Sequence, residues 1–186
     1  MSDLFVKINK LLEMKQLILI CLFLISANVG FAQWQFQSGS VSFSIKNAGL
    51  TVDGKFTQLQ ANINFNPEQL DKTTLDATVN SESIYTGIKL RDKHLKKEEY
   101  FDVATFPKIT LKLKSLSGNL KSGFEGICSL SLKGIVKEVT IPIKFEPSGK
   151  LSGSFTIDRR DFKVGGNSWT MGDQVKIQLS AQLKKV

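Results

Sequence analysis

The feature that most constrains this chain is an alternation of apolar and polar residues with a period of two. In the first such segment, Val41, Phe43 and Ile45 alternate with serine and lysine. The alternating segments are residues 41–45, 52–56, 61–65, 75–79, 109–113, 124–132, 139–145, 151–157 and 175–183. Successive side chains of a strand point to opposite faces, so each segment is predicted to be a strand with one apolar and one polar face.

About eight or nine such strands, separated by turn residues, predict an all-β fold, either an antiparallel barrel or a sandwich. The 186 residues fit about one domain. Phenylalanine dominates the aromatic residues, with 13 against 2 tryptophans and 2 tyrosines, which favours an apolar interior. A barrel of about eight strands is either filled by side chains or holds one small ligand, and composition does not choose between these.

Gly54 and Pro142 interrupt the alternation, and an irregular loop precedes its last segment. Gly54 predicts a bend or a bulge in the second strand. Pro142 cannot donate to a strand ladder, so it predicts a strand edge or a bulge. Residues 158–162 open an irregular, glycine-rich loop before the last strand. Their adjacent arginines and aspartates favour ion pairs that tie the loop to a strand end, and the alternative is binding of an anion or a headgroup by an arginine.

The N-terminus has the pattern of a secretory signal. Lys15 precedes an apolar run at residues 17–29, and small residues surround Ala32. The run is about 13 residues long, short of the ~20 that span a bilayer. We therefore predict removal of residues 1–32, with Met14 as an alternative start to Met1, and one domain at residues 33–186. Cys128 is then the one cysteine left, which predicts no internal disulfide and a small buried side chain.

The formal net charge of +8 has two interpretations. The lysines of the strands would face water if leucine and isoleucine face inward, and charged strand edges also oppose aggregation. The alternative is attraction to an anionic partner, such as a phosphate headgroup or a membrane surface. Basic and aromatic residues do not interleave as they do in nucleic-acid-binding proteins, so no nucleic acid partner is predicted.

Catalytic residue patterns are scarce. His94 is the single histidine, so neither a histidine-based nucleophile system nor a zinc site is predicted. It lies in residues 83–107, a charged stretch that differs from the strands and is predicted to be a helical or irregular flap over one end of the β-structure. His94 is predicted to make a structural hydrogen bond at the base of this flap, and no catalytic residue is predicted.

Five ordered segments resemble the YceI-like family of secreted, polyisoprenoid-binding bacterial proteins. They are SVSFSI at residues 40–45, RDKHL and YFDVATFP at 91–95 and 100–107, LSLKGIVK at 130–137, IDRRDF at 157–162 and GDQV at 172–175. The chain departs from the family pattern at Asn47, where a histidine is frequent, at Tyr100, where a phenylalanine is usual, and at Lys163, where a glycine is common.

The resemblance implies a lipocalin-like antiparallel β-barrel of about eight strands, with a short helical flap near its mouth. It also implies a periplasmic or secreted protein, monomer or homodimer, that holds a long isoprenoid or similar lipid, such as a quinone, without covalent attachment and without metal. The protein would carry or sequester this lipid and would not be an enzyme. The alternative is an interaction module with a filled core and no lipid.

The predicted lipid-binding residues are the inward-facing apolar residues of the strands, together with two phenylalanines of the flap at the mouth. They are Phe43, Ile45, Phe56, Ile63, Phe65, Phe101, Phe106, Leu111, Leu113, Phe124, Leu130, Ile141, Ile143, Phe155, Ile177 and Leu179.

Overall fold

The computed structural model describes Lys15 and residues 33–186, and antiparallel strands make up most of that range. The strands are β1 Trp34–Asn47, β2 Leu50–Phe56, β3 Leu59–Phe65, β4 Thr74–Asn80, β5 Ile84–Tyr85, β6 Lys108–Asn119, β7 Gly123–Leu132, β8 Ile135–Phe145, β9 Lys150–Asp158 and β10 Met171–Lys185. The helix α1 spans Lys89–Leu95, and short 3₁₀ helices span Leu70–Lys72, Ser81–Ser83 and Arg159–Phe162. Apart from Lys15, the predicted signal segment at residues 1–32 lies outside the described residues.

The strands form a closed barrel with eight positions around its wall. Neighbouring strands pair in the order β10, β9, β8, β7, β6, β4, β3, β1, and β10 pairs with β1 to close the ring. The same edge of β1 pairs with β3 at Trp34 and with β2 from Val41 onward, so β2 and β3 are two parts of one wall position. β4 and β5 likewise share a position, and the predicted antiparallel β-barrel of about eight strands is confirmed.

The two ends of the barrel differ. At the end that we call the helix end lie the β1–β2 turn, residues 86–107 with α1, the β7–β8 turn and residues 159–170. At the opposite end, which we call the plug end, lie the β3–β4, β6–β7 and β8–β9 connections. The two longest connections, residues 86–107 and 159–170, both lie at the helix end and surround the barrel opening there.

The predicted alternation is present in the strands. In β7, Phe124, Gly126, Cys128, Leu130 and Leu132 are buried, and the residues between them are more accessible. Strand boundaries differ from the prediction in places. β1 begins at Trp34, several residues before the predicted segment, because this early part pairs with both β10 and β3.

Pro142 and Gly54 interrupt the strand pattern for different reasons. β8 pairs with β9 only from Ile143 onward, so the ladder begins immediately after the residue that lacks an N–H, and the predicted strand edge at Pro142 is confirmed. Gly54 instead pairs in regular register with Phe43, and the predicted bend or bulge is wrong. A Cβ at Gly54 would collide with the ring of Phe43, so glycine lets that ring lie across the strand.

Candidate functional site

An apolar cavity of about 230 Å³ occupies the barrel interior. Its wall is formed by inward-facing residues of β1 to β4 and β6 to β10, and residues from the connections at the helix end complete it. Twelve of the predicted lipid-binding residues line it: Phe43, Ile45, Phe56, Ile63, Phe101, Leu111, Leu130, Ile141, Ile143, Phe155, Ile177 and Leu179. Eleven of these twelve come from the alternation and Phe101 comes from the flap, and lipid binding by these residues stays a prediction.

An aromatic cluster closes the plug end. Phe65 packs against Phe124 with ring centroids 5.3 Å apart and against Phe145 at 4.8 Å, while Trp34 meets Phe145 at 5.1 Å. Phe65 and Phe124 are both buried together with Leu183. These two predicted lipid-binding residues thus lie in the closing cluster rather than in the cavity wall, and they give the cavity a fixed floor.

A row of three phenylalanines lies toward the helix end. Phe43 from β1 lies 5.9 Å from Phe56 of β2, measured between ring centroids, and Phe56 lies 5.9 Å from Phe101 in an edge-to-face arrangement. Phe101 belongs to the connection after α1, and its amide donates to the carbonyl of Leu95. The flap therefore contributes an aromatic side chain to the cavity at this end.

The remaining two predicted residues lie outside the cavity wall. Leu113 packs at the edge of the core around Leu111 and Cys128. Phe106 is half-buried beside the β7–β8 turn, where its ring leaves no room for a Cβ on Gly134. Its carbonyl accepts a hydrogen bond of 2.7 Å from the buried Ser81 hydroxyl, which ties the end of the flap to the wall.

A polar group that was not predicted as part of the site lies at the mouth. The Asp92 carboxylate is buried and accepts hydrogen bonds from the amide and the hydroxyl of Thr86, at 2.9 and 2.5 Å. Arg91 Nε donates to the Thr86 hydroxyl and its Nη2 to the Thr86 carbonyl, both at 2.7 Å. Arg91 and Thr86 both line the cavity. The one signal in the sequence was the adjacent opposite charges in a short helix.

Arg159 holds the glycine-rich loop in place. Its buried guanidinium donates to the carbonyls of Val164, Gly166 and Gly172 at 2.9 to 3.0 Å and to the Asp173 carboxylate at 2.8 Å. The predicted structural role of this charged segment is confirmed. Its main carboxylate, Asp173, is fourteen residues away in the sequence rather than adjacent, and it also pairs with Arg160 at 3.1 Å.

His94 and Cys128 lie in different parts of the fold, His94 at the surface and Cys128 in the barrel interior. His94 is exposed and its ring meets that of Tyr100 at 5.1 Å, while its side chain makes no hydrogen bond within residues 33–186, so the predicted structural hydrogen bond is wrong. Cys128 is fully buried and lines the cavity. Burial raises the pKa of its thiol to about 11, so the thiol is protonated and unreactive at neutral pH.

The described residues offer no cluster of histidine, cysteine, aspartate and glutamate that could hold a metal ion. Nor does any helix among them have the length and apolar character needed to cross a bilayer. The arrangement is therefore an apolar chamber with polar groups at its mouth, which suits the binding of an apolar molecule.

Comparison with known proteins agrees with the sequence motifs. A profile of the YceI-like domain matches residues 34–183, which is nearly the whole described barrel. The chain belongs to the YceI-like family. UPF0312 proteins of Yersinia enterocolitica and Yersinia pestis are 25% and 26% identical to it over 156 residues, covering 78% of this chain and 81% of each relative.

Solved structures share the fold of this YceI-like barrel. Burkholderia cenocepacia BcnA superposes with a TM-score of 0.72 at 22% identity, covering 78% of this chain and 96% of BcnA. The Campylobacter jejuni YceI protein gives 0.64 at 22% identity, with 73% and 85% covered. A polyisoprenoid-binding domain from Saccharophagus degradans, implicated in plant cell wall breakdown, gives 0.59 at 14% identity, with 84% and 99% covered.

Proposed function

We propose that this protein binds a long-chain isoprenoid or similar lipid in the barrel cavity and acts as a carrier or sequestering protein. The observation that carries the proposal is the closed barrel with an apolar cavity of about 230 Å³. Membership of the YceI-like family and a structural neighbour described as polyisoprenoid-binding support the same ligand class.

The size and chemistry of the cavity favour an apolar chain. A cavity needs roughly 10–15 Å³ of such volume to hold one water, so this one exceeds the size of a few waters. Each methylene transferred from water into an apolar wall contributes about 0.8 kcal/mol. Binding a chain of this kind requires shape and apolar contact rather than reactive groups, and the wall supplies both.

The cavity supports lipid binding over the alternative considered from the sequence. An interaction module with a filled core would have no interior space beyond a few waters. We propose further that the protein acts by binding and without catalysis, because the buried Cys128 thiol is held protonated and the exposed His94 lies outside the cavity lining. The predicted signal segment supports a periplasmic or secreted location as part of this proposal.

Uptake of an isoprenoid quinone by delipidated protein tests the proposal. After removal of free quinone by gel filtration, we expect bound quinone at close to molar equivalence, and no retention of a headgroup analogue that lacks the tail. Ile177 faces the cavity, whereas its neighbour Lys176 faces solvent on the same strand. Ile177→Asn is therefore expected to weaken uptake by about tenfold or more, because an unpaired amide would face the apolar chain.

Lys176→Asn is the matched control, and it is expected to leave uptake within about twofold because surface substitutions change little. Thermal unfolding of both variants shows whether they remain folded. Absence of quinone uptake by the unsubstituted protein, or equal uptake by the two variants, would count against binding in the cavity.

A further inference from the structure

Four large apolar side chains are exposed around the opening at the helix end. Trp169 is fully exposed, Leu90 is 78% exposed, Leu50 is 72% exposed and Ile88 is 53% exposed. Soluble proteins rarely expose apolar residues of this size together unless the surface meets a partner. We call this group the apolar rim.

The rim residues come from three separate connections that meet at the barrel opening. Leu50 begins β2 opposite Asn47, and the neighbouring Ala48 amide donates to the Thr170 carbonyl at 2.7 Å, so the Leu50 and Trp169 segments lie side by side. Ile88 and Leu90 lie at the start of α1. Three connections that present apolar side chains around one opening have the arrangement expected for shallow insertion into a flat surface.

Each rim residue lies within two positions of a residue that lines the cavity. Val52, Arg91 and Met171 line the cavity, and they follow Leu50, Leu90 and Trp169 by one or two positions. Thr86, two positions before Ile88, lines it as well. In α1, Arg91 and Leu95 face the cavity while Leu90 points away from it. A surface seated on the rim would therefore cover the mouth.

The lysines beside the apolar rim favour an anionic surface as its partner. Lys46, Lys89 and Lys93 are exposed, and none of the three forms an ion pair with a carboxylate within residues 33–186. Lys89 and Lys93 are four residues apart on α1, adjacent to Leu90. The exposed acids at this end include Asp53 on β2, and Glu98 and Glu99 in the connection after α1, where the exposed Lys97 precedes them. Clustered lysines beside an anionic leaflet are attracted to its headgroups, and tryptophan is enriched at the membrane–water interface.

We propose that the apolar rim docks this protein on an anionic lipid bilayer, with Trp169, Leu50 and Leu90 inserted among the headgroups and the barrel mouth facing the membrane. Docking is a property of the outer surface and does not require a lipid inside the barrel. It can therefore succeed or fail independently of the proposed function, although it would place the cavity where a lipid could be exchanged.

Vesicle flotation with protein comprising residues 33–186, the range within which the barrel closes, tests the docking surface. The vesicles contain either phosphatidylglycerol and phosphatidylcholine in equal parts or phosphatidylcholine alone. We expect flotation with the anionic vesicles at low ionic strength, and a reduction of about tenfold or more in the double variant Leu50→Ser/Leu90→Ser. These side chains are exposed, so thermal unfolding is expected to be unchanged.

The chain supplies a matched control at the plug end. Leu120 and Val186 are each 58% exposed and lie away from the rim. The double variant Leu120→Ser/Val186→Ser is expected to float within about twofold of the unsubstituted protein, because surface substitutions away from a binding face change little.

Tryptophan fluorescence gives a second measurement. The chain has two tryptophans, and Trp34 lies in the aromatic cluster at the plug end. In the variant Trp34→Phe, emission then comes from Trp169 alone, and we expect it to shift to shorter wavelength when anionic vesicles are added.

Three results would overturn the proposal. They are equal flotation of the two double variants, flotation with phosphatidylcholine alone that matches the anionic vesicles, and a Trp169 emission that does not change. Sedimentation velocity provides a fourth result that would overturn it. If Leu50→Ser/Leu90→Ser converts a dimer to a monomer, the rim is an interface between two copies and the membrane proposal is wrong.

Discussion

Substitution of Phe101 by aspartate probes the contribution of the flap to the cavity. Phe101 lines the cavity, and its ring packs edge-to-face on Phe56 at 5.9 Å. Loss of a half-buried ring and of one aromatic pair is expected to lower the free energy of unfolding by about 2 kcal/mol. The plug-end core does not include Phe101, so the barrel should remain folded.

The effect on ligand retention should be larger than the effect on folding. A carboxylate at this position would face an apolar chain without a partner, which costs on the order of 2–4 kcal/mol. Lipid affinity should therefore fall roughly 30- to 700-fold. The assay is retention of an isoprenoid quinone after gel filtration, with urea unfolding measured on the same preparations.

Phe106→Asp is the matched control, because Phe106 is a half-buried aromatic residue of the same connection that lies beside Gly134 and outside the cavity wall. We expect it to lower stability by a similar amount while leaving retention within about threefold. If Phe101→Asp keeps both its fold and its ligand, or if the two variants lose ligand equally, the placement of Phe101 in a lipid site is wrong.

Three further predictions test the structural argument. Arg159→Met leaves three carbonyls without their donor and Asp173 with Arg160 as its remaining partner, and it should cost about 3–5 kcal/mol in urea unfolding. A cost below about 1 kcal/mol would contradict the role of this side chain. Gly54→Ala should cost about 1–3 kcal/mol because its Cβ collides with the Phe43 ring, and Phe43→Leu should restore part of that loss if the collision is the cause. The pKa of Cys128 is raised to about 11, so from pH about 9 upward the unfolded thiol ionises first and stability falls by up to about 3 kcal/mol. Cys128→Ala should lack this added pH dependence in urea unfolding between about pH 8 and pH 11. If the free energies of unfolding of the unsubstituted protein and of Cys128→Ala differ by the same amount at every pH, the prediction is wrong.

The alternation predicted the strands and the faces of their side chains well, but not how deep each residue lies along the barrel axis. Ile63 and Phe65 share the same parity on β3 and both belong to the plug-end core, yet only Ile63 also lines the cavity. Depth depends on strand register and tilt, which arise from pairing with distant strands. The closure of β10 on β1 is likewise a long-range property, and it was expected from the family resemblance rather than from the pattern.

The connections were harder to predict than the strands. Phe101 and Phe106 are five residues apart in one charged segment, yet only Phe101 enters the cavity. The chain turns between them at Asp102, which has a left-handed backbone with φ of 44° and accepts from the Phe106 amide. The partner of Arg159 was also missed, because Asp173 approaches only when the loop folds back. Such contacts depend on tertiary folding and leave no periodic signal.

The most direct test of the central claim is organic extraction of protein purified without detergent, followed by mass spectrometry of the extract. The cavity and the family predict a long-chain apolar lipid at close to one molecule per barrel, and a large loss of that lipid from Phe101→Asp. An extract without lipid, from a protein that also takes up no added isoprenoid quinone, would contradict the claim that the barrel is a lipid-binding chamber.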